Sequence, residues 1–285
     1  MNGGLVRLKE LVQNLNPSEK KVAEYILNNP DHLIECSIAQ LAESSGSSQA
    51  AIVRLCKTMG IKGYQDLKIK VAGDLQLNQH TSASNQGYQE IRAGESVQNI
   101  IQYVANNNVQ SIMDTVKILD PVHVTQAVEA IVKAKRIFFY GMGASNLIAL
   151  DAQQKFLRIN KTAFAFSDPH VQITSSVTLT AGDVAVGISY SGETKQIITA
   201  LGTAKDRGAT TISITKYGNN ALSSYADYPL FISSTEHEIR SGAMASRISQ
   251  FSVIDMLYLG VASQSYEESV QYLEQSRKII RDLEA

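Results

Sequence analysis

The sequence predicts two domains. The first is an all-α N-terminal domain with a helix-turn-helix. The second is an α/β domain, a three-layer αβα, Rossmann-like sandwich around a five-stranded parallel sheet. Three observations carry this. The first 78 residues place apolar side chains at helical spacing; residues 77–93 turn to Asn, Gln, Ser, Thr and His with little to bury; and from residue 136 short apolar runs alternate with helical segments. The expected boundaries are 1–77 for the helical domain, 78–94 for a linker, and 95–285 for the α/β domain with its leading and C-terminal helices.

Composition allows this and excludes other classes. The chain has 285 residues, 44% hydrophobic and 19% charged, enough for two cores and unlike a disordered chain. No apolar run reaches the roughly 18 residues a spanning helix needs, and Met1–Arg7 lacks the apolar stretch of a signal peptide. Cys36 and Cys56 are too few for a disulfide framework and sit in apolar helical patterns, so they read as buried packing in a cytoplasmic protein. Net charge is −1, but residues 47–70 carry Arg54, Lys57, Lys62, Lys68 and Lys70 against Asp66 alone. A local basic stretch suits phosphate backbone, as it also suits a solvated helix face.

In the N-terminal domain, Asn16 and Pro17 mark a helix start, and Val22, Ala23, Ile26 and Leu27 recur behind them. Asn28-Asn29-Pro30 ends that helix. Ser37 caps a second helix with Ile38, Leu41 and Ala42, which Gly46 breaks. Ser47 or Ser48 caps a third helix carrying Ile52, Val53, Leu55 and Met59 that stops at Gly60, and Gly63 precedes a fourth with Leu67, Ile69 and Val71. Two helices follow over 96–134, separated at Asp120-Pro121. Strands are then expected at 137–140, 162–166, 184–188, 210–214 and 228–232. Helices are expected at 145–159, 170–178, 193–206, 219–226, about 241–264 and 266–283.

Across 38–57, Leu41, Ile52 and Leu55 supply core positions of two crossing helices. Ala42 is small where they approach, and Gly46 permits the left-handed turn between them. In such a unit the start of the second helix reaches base edges. Those residues are Ser47, Ser48, Gln49 and Ala50, with Gln49 suited to adenine; Arg54, Lys57 and Lys62 would neutralise phosphates. A plain helical hairpin with polar caps would look the same locally.

Two loops in the α/β domain bear on ligand chemistry. Gly141-Met142-Gly143-Ala144-Ser145 follows a strand and opens a helix. Asn146 occupies the sixth position of G-x-G-x-x-G, so the dinucleotide fingerprint is incomplete, and no P-loop is present. Gly143 and Ser145 remain as an anion-facing turn at a helix start. Ser189-Tyr190-Ser191-Gly192-Glu193-Thr194 likewise joins a strand to a helix. Its hydroxyls and Gly192 suit a phosphate monoester, as they would suit a simple capping cluster. His170 lies after the strand at 162–166, Glu238 could accept sugar hydroxyls, and Arg240 could pair with phosphate or with Glu238. The five histidines show no metal spacing, and no cofactor or metal is expected.

Four segments together resemble the RpiR family of bacterial regulators along nearly the whole chain. They are Asn16-Pro17-Ser18-Glu19-Lys20-Lys21-Val22-Ala23, Ser48-Gln49-Ala50-Ala51-Ile52-Val53-Arg54, Gly60-Ile61-Lys62-Gly63-Tyr64 and Ile188-Ser189-Tyr190-Ser191-Gly192-Glu193-Thr194. This family joins a helix-turn-helix to a sugar isomerase (SIS) domain. Asp168-Pro169-His170-Val171-Gln172 and Glu238-Ile239-Arg240-Ser241-Gly242-Ala243-Met244-Ala245-Ser246-Arg247 are most similar to the MurR type, which senses N-acetylmuramic acid 6-phosphate. The resemblance implies a DNA-binding regulator with no catalytic residue, most readily a repressor of sugar or amino-sugar catabolism genes. Ser145, Ser189, Ser191 and Thr194 would hold the sugar phosphate, with Glu238 near the ring, and the chain would assemble as a homodimer or tetramer through its SIS domains. Related SIS enzymes use a Glu or His as acid/base, so an isomerase or lyase with a helical extension is the rival reading, with Glu238 and His170 as its candidate groups.

Overall fold

Proline and short polar side chains set most of the helix starts, as the sequence suggests. The computed structural model describes residues 3–78, 94–234 and 243–284. These divide into two compact units, residues 3–78 with 113–118, and residues 94–112 with 119–284.

The first unit contains α1 (Gly4–Leu11), a 3₁₀ turn (Val12–Asn14), α2 (Pro17–Asn28), α3 (Pro30–Glu35), α4 (Ile38–Ser44), α5 (Gln49–Thr58) and α6 (Tyr64–Asn78). Proline begins both α2 and α3, where its missing N–H costs nothing. A capping box opens α4: Gln40 N donates to Ser37 Oγ at 3.3 Å, and Ser37 N donates to Gln40 Oε1 at 2.8 Å. Gly46 takes φ 60° in the turn, and Ser48 Oγ caps α5 by accepting from Ala51 N at 3.2 Å. Leu8, Ile26, Leu41, Ile52, Leu55 and Leu67 are fully buried between these helices. Each contributes roughly 1.5–3 kcal/mol of transfer free energy. The sequence did not reveal α1 or α3.

The second unit opens at residue 94 and takes α7 (Val97–Ile118) through residue 112. It continues through α8 (Pro121–Lys133), β1 (Arg136–Gly141), α9 (Ala144–Leu157), β2 (Ala163–Ala165), α10 (Pro169–Ser176), β3 (Asp183–Ile188) and α11 (Lys195–Asp206). Then come β4 (Thr210–Lys216), α12 (Ala221–Ser224), β5 (Tyr228–Ile232), α13 (Met244–Gln264) and α14 (Tyr266–Glu284). All strand pairs are parallel, in the order β2-β1-β3-β4-β5, with Gly141 opposite Ile188. Side chains alternate across the sheet. Phe139, Val186 and Ile214 pack with α8, α9 and α13 on one face, while Phe138, Tyr140 and Ala185 pack with α11 and α12 on the other. No helix among the described residues is long and apolar enough to cross a membrane.

The strand order reverses between β1 and β3, so their carboxyl ends flank an open crevice. Gly141–Ser145 follows β1 and Ser189–Thr194 follows β3, so the fold brings together two loops some fifty residues apart in sequence.

Candidate functional site

At the sheet edge, Gly141 must be glycine because a Cβ there would stand 2.5 Å from the Ser145 carbonyl oxygen in the first turn of α9. Gly143 adopts φ 56°, ψ −122°, which L side chains avoid, and turns the chain into that helix. Gln172, 1% exposed, pins the turn. Its Nε2 donates to the carbonyls of Gly141 at 2.9 Å and Phe166 at 2.6 Å, and Gly141 N donates back to its Oε1 at 3.2 Å. The ends of β1 and β2 are therefore tied by one buried carboxamide.

The second loop is held as tightly. Gly192 takes φ 72°, and a Cβ there would lie 2.1 Å from Asn220 Oδ1. Gly192 N donates to Ser189 Oγ at 3.2 Å, and Ser189 Oγ lies 2.9 Å from Thr194 Oγ1. Thr194 is the N-cap of α11 but makes no side-chain cap. Its hydroxyl turns to Ser189 instead, and the helix start is open to an anion. Ser191 Oγ accepts from Glu193 N at 3.2 Å. The Glu193 carboxylate caps α12 by accepting from Ala221 N at 3.0 Å.

A cavity of about 140 Å³ lies against both loops, lined by Ser145, Ser189, Ser191 and Thr194, among others. Four predicted residues thus meet at one site, while Gly143 and Gly192 shape its loops. His170 sits exposed at the start of α10, its N–H donated to Asp168 Oδ1 at 2.8 Å, and it is not part of the lining. Glu238 and Arg240 lie outside the described residues. Sequence reasoning missed Ser246 and Gln250, which line the cavity from the first turns of α13 and are each 1% exposed. Their i,i+4 spacing, which puts two polar residues on one helix face, was the available signal.

In the helical unit, Ser48, Gln49, Ala50, Arg54 and Lys57 are exposed along α5, and Lys62 is exposed beyond it. Ser47 is half-buried and its Oγ donates to the Ser18 carbonyl at 2.9 Å, fastening the turn to α2. Arg54 also reaches α2: its Nε is 3.5 Å from Glu19 Oε1, and Nη2 donates to Ser18 Oγ at 3.3 Å. Lys68 donates to the Cys36 carbonyl at 3.0 Å, and Lys70 pairs with Asp66 at 3.7 Å. Val53, 59% exposed, lies between Gln49 and Lys57 at helical spacing, an apolar group on a polar face that sequence reasoning did not single out.

Comparison with known proteins agrees with both halves. The model for the helix-turn-helix domain of the rpiR family matches residues 2–78, and that for the SIS domain matches residues 130–260. An HTH-type transcriptional regulator of Caldanaerobacter subterraneus subsp. tengcongensis is 46% identical over 280 residues, spanning 98% of either chain. The HTH-type transcriptional regulator YbbH of Bacillus subtilis is 40% identical over 282 residues, spanning 99% of this chain and 98% of its own. Among solved structures, the Vibrio vulnificus NanR protein complexed with ManNAc-6P matches with a TM-score of 0.61 and 29% identity, each chain covered to 98%. An N-terminal helix-turn-helix followed by an α/β SIS domain, together with full-length relatives of this identity, settles the family: the chain belongs to the RpiR family of HTH-type transcriptional regulators.

Proposed function

We propose that this regulator is a repressor of sugar or amino-sugar catabolism genes whose DNA binding is modulated by a sugar phosphate, such as N-acetylmuramic acid 6-phosphate, held in the SIS cavity. The observation that carries the reading is the hydroxyl cluster of Ser189, Ser191 and Thr194 at the open start of α11, facing the same cavity as Ser145. Hydroxyl donors and a helix start suit a phosphate monoester. That NanR is complexed with ManNAc-6P supports the same ligand class.

In this reading Ser48, Gln49 and Ala50 approach base edges, and Val53 can contact a thymine methyl. Lys57, Lys62 and the outer edge of Arg54 meet phosphates, while Ser47 holds the turn that presents them. The protein acts as a homodimer or tetramer through its SIS domains. The sugar phosphate favours one arrangement of the subunits, and so one spacing of the DNA-reading helices, by its differential affinity for the two arrangements. The domains divide near 1–77 and 95–285, with 78–94 as linker, and the SIS domain senses without turning its ligand over.

The test is a titration of the full-length protein against DNA upstream of its own gene, with and without a panel of hexose phosphates, alongside a turnover assay. A sugar phosphate that shifts the DNA isotherm supports the reading. Turnover of a sugar phosphate with no affinity for any DNA would overturn it in favour of a SIS-type isomerase or lyase.

A further inference from the structure

Resting on that reading, we propose that Gln250 is the specificity-determining residue of the cavity. Its carboxamide reads a ring hydroxyl pair of the bound sugar, while the loop after β3 takes the phosphate.

A carboxamide offers two N–H donors and two acceptor lone pairs. At 1% exposure Gln250 has almost no bulk water to meet them. Its partner among the described residues is the Ser145 hydroxyl, 3.3 Å from Nε2 and 3.5 Å from Oε1. Both separations are at the long end for a hydrogen bond, and that one hydroxyl takes a single N–H and a single lone pair of the amide, leaving its second N–H and second lone pair for another partner. Buried polar groups are as a rule paired. An under-satisfied amide on a cavity wall therefore asks for a partner from inside the cavity.

The chemistry selects the partner. An amide that presents a donor and an acceptor side by side matches two neighbouring hydroxyls, one accepting and one donating. Phosphate held at the loop after β3 brings no ring hydroxyls to the amide, and an apolar phosphate monoester has none to bring. A site built to hydrogen-bond a substrate hydroxyl discriminates strongly against analogues that lack it, because its own polar groups are then left unpaired. The Ser189, Ser191 and Thr194 cluster would bind any phosphate monoester alike, so discrimination between sugars needs a polar group outside that cluster, and Gln250 supplies one on the cavity wall. Gln250 stands one turn after Ser246 on α13, an element separate from both loops.

The experiment is calorimetry of the full-length protein with inorganic phosphate, glucose 6-phosphate, 2-deoxyglucose 6-phosphate, N-acetylmannosamine 6-phosphate and N-acetylmuramic acid 6-phosphate. Wild type is compared with Gln250→Leu and Gln250→Met, the latter keeping the side chain's length. Melting temperatures confirm that the variants fold. The expected result is that affinity for the preferred sugar phosphate falls about tenfold or more, the ranking among sugars flattens, and inorganic phosphate changes less than about twofold. A ranking that survives both substitutions, or an equal loss for inorganic phosphate, would overturn the assignment. A wild-type protein that binds none of the five would instead overturn the reading of the cavity on which it rests.

Discussion

The Nε of Arg54 stands 3.5 Å from Oε1 of Glu19, a residue only 3% exposed, although the Arg54 side chain is itself 55% exposed. The guanidinium therefore has a structural partner on α2 as well as a face turned to solvent. Arg54→Ala should lower both the melting temperature and DNA affinity, because it strips a buried carboxylate of its cation. Lys57→Ala and Lys62→Ala should leave the melting temperature unchanged while weakening all DNA sequences alike. Each should also reduce the slope of log affinity against log salt by about one. Salt-dependent binding titrations with parallel thermal melts check this. An Arg54→Ala protein of unaltered melting temperature would mean that the Glu19 contact contributes nothing.

Gly192 is fixed twice, by its φ of 72° and by Asn220 against its α-carbon. Gly192→Ala should destabilise the SIS domain by about 1–3 kcal/mol. It should also abolish the response to sugar phosphate while DNA binding persists. Adding Asn220→Ala removes the clash but leaves the backbone strain, and it costs α12 its cap, the Ser223 N–H bond at 2.9 Å. Denaturant melts should thus show no full rescue in the double variant.

Arg136 grips Asp183 through two bonds, Nε to Oδ1 at 3.0 Å and Nη2 to Oδ2 at 2.6 Å. Burial pushes the Asp183 carboxyl up, but the guanidinium and the Thr180 amide and hydroxyl outweigh it and hold the group below its ordinary value. A depressed carboxylate contributes stability above its unfolded value near 3.9, and that stability is lost as pH falls through the lower folded value. Arg136→Ala should remove about 2 kcal/mol at pH 7, less than a fully buried pair because Arg136 is about one-third exposed. Melts between pH 7 and pH 2 should show the gap between variant and wild type narrowing as pH falls below about 3.9. A constant gap across that range would contradict the assignment.

What the sequence could convey depended on whether its signals were local. The five strands were legible because each is a short apolar run bounded by glycine or polar residues, and the capping box at Ser37 lies within four residues. Helix α1 was not, because Gly3 makes no side-chain cap and the cap comes from far away. Asp74, 1% exposed, accepts from Gly3 N at 2.6 Å and Leu5 N at 2.9 Å. Helix α3 was hidden because Pro30 was read as the end of one helix, when it is the first residue of the next. Helix α11 starts at Lys195 rather than 193, since Thr194, with ψ 106°, is still extended and stands as the N-cap. The phosphate loop was legible for its hydroxyls at a strand end. Gln250 was less so: its i,i+4 spacing from Ser246 was visible, but nothing local shows that this face of the helix lines a cavity.

The most direct test is DNA binding by wild type and Ser191→Ala, each with and without a sugar phosphate that binds the wild type. Wild type should change its DNA affinity when the sugar phosphate is added. Ser191→Ala should bind DNA as wild type does and respond about tenfold more weakly, the loss of one charge-assisted hydrogen bond. Unchanged response in Ser191→Ala, or equal loss of DNA affinity without any ligand, would contradict a phosphate-binding loop distinct from the DNA-reading surface.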